Sequence, residues 1–107
     1  MEVRFSHATS IFLRELIQIL YEEDYFGFEE AAIEYVNDLV DDIQSGIARK
    51  HKKPAPSYFD KYGQNMYYVS YKRNKNTTWY IFFNYSEDVY YIRYIGNNHT
   101  ISHYLSE

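Results

Sequence analysis

His99 and His103 stand four residues apart near the end of the 107-residue chain. If that segment is helical, the spacing puts both on one face. Histidine changes charge near neutral pH, so one ring could take a proton while the other gives one. Cleavage of RNA by its own 2′-hydroxyl needs those two acts, and also a cation to hold the extra charge on the phosphate. Arg93 or a lysine of the preceding basic stretch could supply that cation, and Tyr104 lies in the same neighbourhood. The His99–His103 spacing could also bind zinc, but no glutamate stands inside the motif and no third ligand lies nearby. No metal and no cofactor is therefore expected. His7, at a helix start, and His51, in the basic stretch, read as surface residues.

The second chemical signal is the distribution of charge. Residues 1–48 carry 11 acids and two bases, Arg4 and Arg14. Residues 49–75 carry eight bases against the single acid Asp60, and the remainder carries three acids and Arg93. Block charges of −9, +7 and −2 sum to the net −4. The basic block, which includes Lys50, Lys52, Lys53 and Arg73, is interleaved with Tyr58, Phe59, Tyr62, Tyr67, Tyr68 and Tyr71. Cations bind phosphates and aromatic faces stack on unpaired bases, so this pattern suits single-stranded RNA. The alternative reading makes the acids the solvated faces of two helices and the bases a loop rim. A net acidic chain argues against general nucleic-acid binding and for a local site. There is no glycine-rich phosphate loop, nucleophile elbow or paired-carboxylate motif, which excludes the hydrolase classes built on them.

These residues need a scaffold, and the length fits one domain, residues 1–107. Aromatics are 21% of the chain, and 11 of the 14 tyrosines lie from Tyr58 onward. Tyrosine suits half-buried strands, where its ring packs and its hydroxyl reaches water. With no cysteine there is neither a disulfide framework nor a thiolate site. No apolar run reaches the ~20 residues of a membrane span, and no secretion signal opens the sequence. The expectation is a cytoplasmic protein that does not enter a membrane.

The elements follow from period and punctuation. Val3–Phe5 reads as a short strand, and Ser6 as the N-cap of a first helix. Leu13, Leu16, Ile17 and Leu20 form that helix's stripe, Phe12 and Ile19 widen it, and Glu22, Glu23 and Asp24 close it before Gly27. Acids at a helix C-terminus oppose its dipole, so this end should fray. A second helix spans about Glu29 to Gly46, with Ala32, Val36, Leu39, Val40 and Ile43 inward; the short link makes the two an antiparallel hairpin. Pro54 and Pro56 mark Arg49–Gly63 as a loop. Met66–Lys72, Thr77–Tyr85 and Val89–Ile95 form an antiparallel meander with turns at Asn74–Asn76 and Ser86–Asp88. Thr100–Leu105 adds a helical turn. The fold class is α+β. In the middle strand Trp79, Ile81 and Phe83 share one face, Tyr80 and Phe82 the other. Both faces are apolar. The second therefore meets a partner, another polypeptide or another copy of the chain, unless the basic loop and C-terminal segment fold over it.

The order strand, helix hairpin, loop, meander resembles RelE/ParE-family toxins. So does Phe5-Ser6-His7-Ala8 ahead of the first helix, and so does Tyr94-Ile95-Gly96 followed by a polar segment ending in Tyr104. The resemblance implies the toxin component of a type II toxin–antitoxin pair, with a cognate antitoxin as partner. In the family's ribonucleases, loop lysines, sheet arginines and a C-terminal tyrosine line a concave face, and messenger RNA is cut on the ribosome without a metal. Lys50, Lys52 and Lys53 match the loop, and Tyr104, eight residues after Gly96, matches the tyrosine. The positions implied for arginines hold Thr78 and Asn98, with Arg93 and Arg73 as the available substitutes. Other members, of the ParE type, poison DNA gyrase, and a non-catalytic protein-binding module on the same scaffold is the remaining alternative.

Overall fold

The structure is a computed structural model that describes residues 1–23 and 27–105. Asp24, expected to help close the first helix, lies outside them. Helix α1 (His7–Glu22) starts where Ser6 caps it, the Ser6 hydroxyl accepting from the Thr9 N–H at 3.1 Å. Thr9 is buried, and its own hydroxyl donates to the Ile92 carbonyl at 3.2 Å, which fastens the helix start to the sheet. Helix α2 (Glu29–Gly46) has no side-chain cap at Phe28; Glu29 and Glu30 in its first turn serve the dipole instead. Its limits are those expected from sequence. Leu13 and Leu16 of α1 meet Val36, Leu39 and Ile43 of α2 in one core. The edges of both stripes (Phe12, Ile17, Leu20, Val40) are only partly buried.

The fold is α+β, built on an open mixed sheet of five strands in the order β1-β5-β4-β3-β2. Strands β3 (Tyr67–Asn74), β4 (Thr77–Ser86) and β5 (Val89–Asn97) pair antiparallel in sequence order. Glu87 and Asp88 join β4 to β5 with φ of 50° and 66°, the geometry of a type I′ turn, whose twist matches that of the strands it connects. Two strands depart from expectation. β1 (Glu2–Phe5) pairs parallel with β5, Glu2 opposite Val89 and Phe5 opposite Ile92, so the sheet is mixed. The Arg49–Gly63 stretch is more than a loop. It follows a 3-10 turn at Ile47–Arg49 and holds a two-residue edge strand β2 (Lys53–Pro54) and a 3-10 helix at Ser57–Lys61. Pro54 is tolerated because an edge strand has one side free of partners.

Register explains how both faces stay apolar. Phe82 opposes Tyr94 and Phe83 opposes Ile92, so Arg93 is an extra residue, a bulge in β5. Ile92 and Ile95 can therefore both face the helices while Tyr94 turns to the other side. On that second face Phe59, Met66, Phe82 and Ile101 form a separate core, edged by Tyr58, Tyr62, Tyr68, Tyr80, Tyr94 and Tyr104. Phe82 is 0% exposed. Of the two readings left open for this face, the structure takes the folded-over one, which removes the need for a partner to cover it. The C-terminal segment contributes one turn, α3 (Asn98–Ile101), capped by the Asn97 carboxamide accepting from the His99 N–H at 2.9 Å. A 3-10 turn follows at Ser102–Tyr104.

Candidate nucleic-acid interface

Two lysines of the basic stretch, Lys50 and Lys52, lie against tyrosines of the sheet. Lys50 Nζ lies 4.4 Å above the Tyr71 ring. Lys52 Nζ lies 4.8 Å from Tyr67 and 5.0 Å from Tyr85, bridging two rings. Such contacts stabilise by about 0.5–1 kcal/mol at exposed sites. Lys53 is exposed on β2 opposite Tyr68, so its side chain belongs to the other face of the sheet. Tyr67 and Tyr85 keep 36% and 43% of their surface, enough to offer a ring to a base. Tyr71 does not. It is buried, and its phenol is pushed up to about 12 by burial first and by the Asp42 charge second, so it stays neutral and structural.

Arg73 belongs to this edge but is engaged. Its Nη2 stands 2.7 Å from the Asp42 carboxylate, close in distance although neither Nη2 nor Nε has an aligned acceptor. An RNA phosphate would have to compete with Asp42 for it. Sequence reasoning misses Tyr85 as a member of the site. The signal is present, because Tyr85 continues the odd-numbered face of β4 beyond Phe83 to the rim.

The residues expected to do acid–base chemistry are divided among three places. Tyr104 stacks on Tyr58 with centroids 3.7 Å apart and planes 6° off parallel, and the His103 ring lies 3.9 Å from Tyr104. Lys61 sits 4.1 Å over Tyr58. Hydrogen bonding from Lys61 lowers the Tyr58 phenol, with Tyr104 adding to the effect, while Tyr104 itself is raised by its bond to Tyr58. Tyr58, Lys61, His103 and Tyr104 thus form one cluster. Tyr58 and Lys61, three residues apart on a 3-10 helix, are its unanticipated members. His99 lies elsewhere, its Nε2 3.5 Å from the Thr77 hydroxyl. The one-face geometry expected for His99 and His103 does not form, because α3 ends at Ile101 and the chain continues as a 3-10 turn. Arg93 is in a third place, donating to the Asn84 carboxamide oxygen at 3.1 Å; the Asn84 amide in turn donates to the Gln64 carbonyl at 2.8 Å.

Thr78 and Asn98 stand where the resemblance implies arginines, and they are bound to one another. The Asn98 carboxamide oxygen accepts from the Thr78 N–H at 2.9 Å, and its amide donates to the Asn76 carbonyl at 3.0 Å. Asn98 therefore clasps the β3–β4 turn to α3, a structural role.

A groove of about 840 Å³ opens on the helix side of the sheet. Phe12 and Leu16 of α1, Tyr35 of α2, and Trp79 and Ile95 of the sheet line it. The Trp79 indole donates to the Tyr35 hydroxyl at 2.8 Å, and Phe12 meets Trp79 edge-on at 6.3 Å. Among the described residues no cluster of His, Cys, Asp and Glu could hold a metal, and no helix is long and apolar enough to cross a membrane. Compared with known proteins, the chain matches no family model, no curated protein and no solved structure.

Proposed function

We propose that the protein binds single-stranded RNA along the β2–β3 edge, and that it does so as the toxin of a type II toxin–antitoxin pair, arranged as in the RelE/ParE family it resembles. The observation that carries this reading is Lys52, whose ammonium bridges the open rings of Tyr67 and Tyr85, with Lys50 and Lys53 exposed close to it in the chain. Phosphates meet ammonium groups there, and bases meet ring faces. Messenger RNA on the ribosome is the proposed target and a cognate antitoxin the proposed regulator. The separation of His99 and Arg93 from the Tyr104 cluster favours binding over cleavage. A non-catalytic binding module is accordingly the second reading; in the ribonuclease reading, His103, Tyr104, Tyr58 and Lys61 do the proton transfer.

The test is the triple replacement of Lys50, Lys52 and Lys53 by Ala. Affinity for an unstructured RNA should fall, and the log–log salt slope should flatten by about 0.7 for each phosphate that a lysine no longer neutralises. Induced expression of the intact chain should arrest growth and the triple variant should not. An unchanged slope makes the lysines a solvated rim and removes the RNA reading.

A further inference from the structure

The groove beside Trp79 is lined by none of Lys50, Lys52, Lys53, Tyr67 and Tyr85, and its chemistry is opposite to that of the lysine edge. Its apolar wall is Phe12, Leu16, Ile19, Leu20, Trp79 and Ile95, polar side chains including Thr77 and His99 complete the lining, and its volume falls within the ~300–1,000 Å³ typical of ligand sites. Ile19 sits at its rim with 43% of its surface exposed, although it belongs to the apolar stripe of α1. On the same hairpin Phe28 is 72% exposed, and Tyr21 and Ile33 are also exposed. Apolar surface of this kind marks a place where something docks.

Charge says what docks. Glu23 lines the groove, and no lysine or arginine does among the described residues. Glu22, Glu29, Glu30 and Glu34 are exposed on the same hairpin, α2 contains no lysine or arginine, and α1 contains only Arg14. The complement of an apolar trough that carries the Glu23 carboxylate and lies against an acidic helix hairpin is an apolar face with basic flanks. We propose that the groove docks a cationic amphipathic polypeptide segment, a helix whose leucine-like side chains enter the trough and whose lysines or arginines meet the glutamates. A second copy of this chain fits less well. Its most exposed large apolar side chain among the described residues, Phe28, stands beside Glu29 and Glu30, which the acidic hairpin would repel, and its Lys50 and Lys52 lie against tyrosine rings. The proposal goes beyond the RNA reading and stands whether or not that reading holds, because the lysine edge would repel such a segment.

The chain has one tryptophan, and it forms the groove wall, so its emission reports occupancy directly. The probe is a short synthetic Lys/Leu amphipathic helix, with a Glu/Leu peptide of the same pattern as control. The Lys/Leu peptide should change Trp79 emission saturably and more weakly as salt rises, since exposed charges are screened over about 8–10 Å. The Glu/Leu peptide should not. Ile19→Lys should weaken binding by about tenfold, equivalent to about 1.4 kcal/mol, and Glu23→Gln should reduce the salt dependence; both sites are exposed, and a thermal melt confirms that each variant is folded. No response to the Lys/Leu peptide, an equal response to the Glu/Leu peptide, or emission that tracks protein concentration alone as a second copy fills the groove, would each overturn the proposal.

Discussion

The two faces of the sheet are both sealed, by different means. On the helix side, Leu39 and Ile43 descend from α2 onto Ile81 and Ile92, aliphatic groups under continuous hydrogen-bonded helices. On the far side the cover is two 3-10 turns and a single helical turn, and what it contributes is rings. Phe59 stacks on Phe82 at 4.3 Å, Tyr62 on Tyr94 at 3.9 Å and Tyr58 on Tyr104 at 3.7 Å. An aromatic side chain buries about 150–250 Å², so a few ring contacts stand in for a helix. They do not replace its backbone ladder. The loop is tied down at only a few points, such as the Ala55 N–H to the Met66 carbonyl at 2.9 Å. Covers with few regular hydrogen bonds open locally before the whole domain unfolds. The face that carries Tyr104 thus has a fully buried centre, as the helix side does, and is expected to open more readily.

The strongest attack on this comparison is Phe82→Ala. If the far side is a true core, the substitution costs about 3–5 kcal/mol in denaturant unfolding, comparable with Leu39→Ala at about 2–5. A destabilisation below about 1 kcal/mol would place it with ordinary surface substitutions and reduce the far side to surface decoration.

Ile101→Ala sharpens the contrast in cooperativity. Buried Ile→Ala costs about 2–5 kcal/mol, and the expected cost is at the low end because the C-terminal segment can lift without the helices. Hydrogen exchange should show the amides of Tyr62 and Gly63, which bond within the loop, losing protection while those of α2 keep theirs. Equal deprotection in both places would make the two faces one cooperative unit.

The smallest effect, nil at neutral pH, compares one tyrosine from each face. Burial is the first cause that pushes Tyr71, on the helix side, and Tyr94, on the far side, up to about 12. An unfolded tyrosine ionises near 10, so between about 10 and 12 the unfolded chain gives up protons that the folded chain retains. Stability is therefore complete below about pH 10, falls as pH rises through that window and levels off above it. Tyr71→Phe and Tyr94→Phe should each flatten part of the fall, measured as the unfolding midpoint against pH.

The helices are legible in the sequence because their signals are local. Ser6 caps, Ala32 to Ile43 repeat at helical spacing, and α2 runs over the expected residues. The strands and two-residue turns of β3 to β5 are legible for the same reason. The parallel partner of β1 is not, since nothing near Val3 encodes a strand 87 residues on (Glu2 opposite Val89). Nor is the bulge at Arg93, which no period of two can announce. At the candidate interface, the interleaving of lysine and tyrosine is visible, but burial is not. Only the structure divides open rings such as Tyr67 from closed ones such as Tyr71, and shows Asp42 holding Arg73. The expected meeting of His99 with His103 fails on one local event, the change of helix type after Ile101.

The parallel pairing of β1 with β5 also sets an order in time. The Thr9–Ile92 hydrogen bond spans 83 residues, which a ribosome working at about 5–20 residues per second takes about 4–17 s to cross. Helices and hairpins form in microseconds by comparison. The helix hairpin and the β3–β4 pair can thus be complete while β1, made 87 residues ahead of its partner (Glu2 opposite Val89), still has no strand to join. Until Val89–Ile92 arrives, the β1 backbone is unpaired and open to another chain. Closing so long a loop is the slow step expected of non-local pairing, so the rate at which this protein matures is set at its first strand.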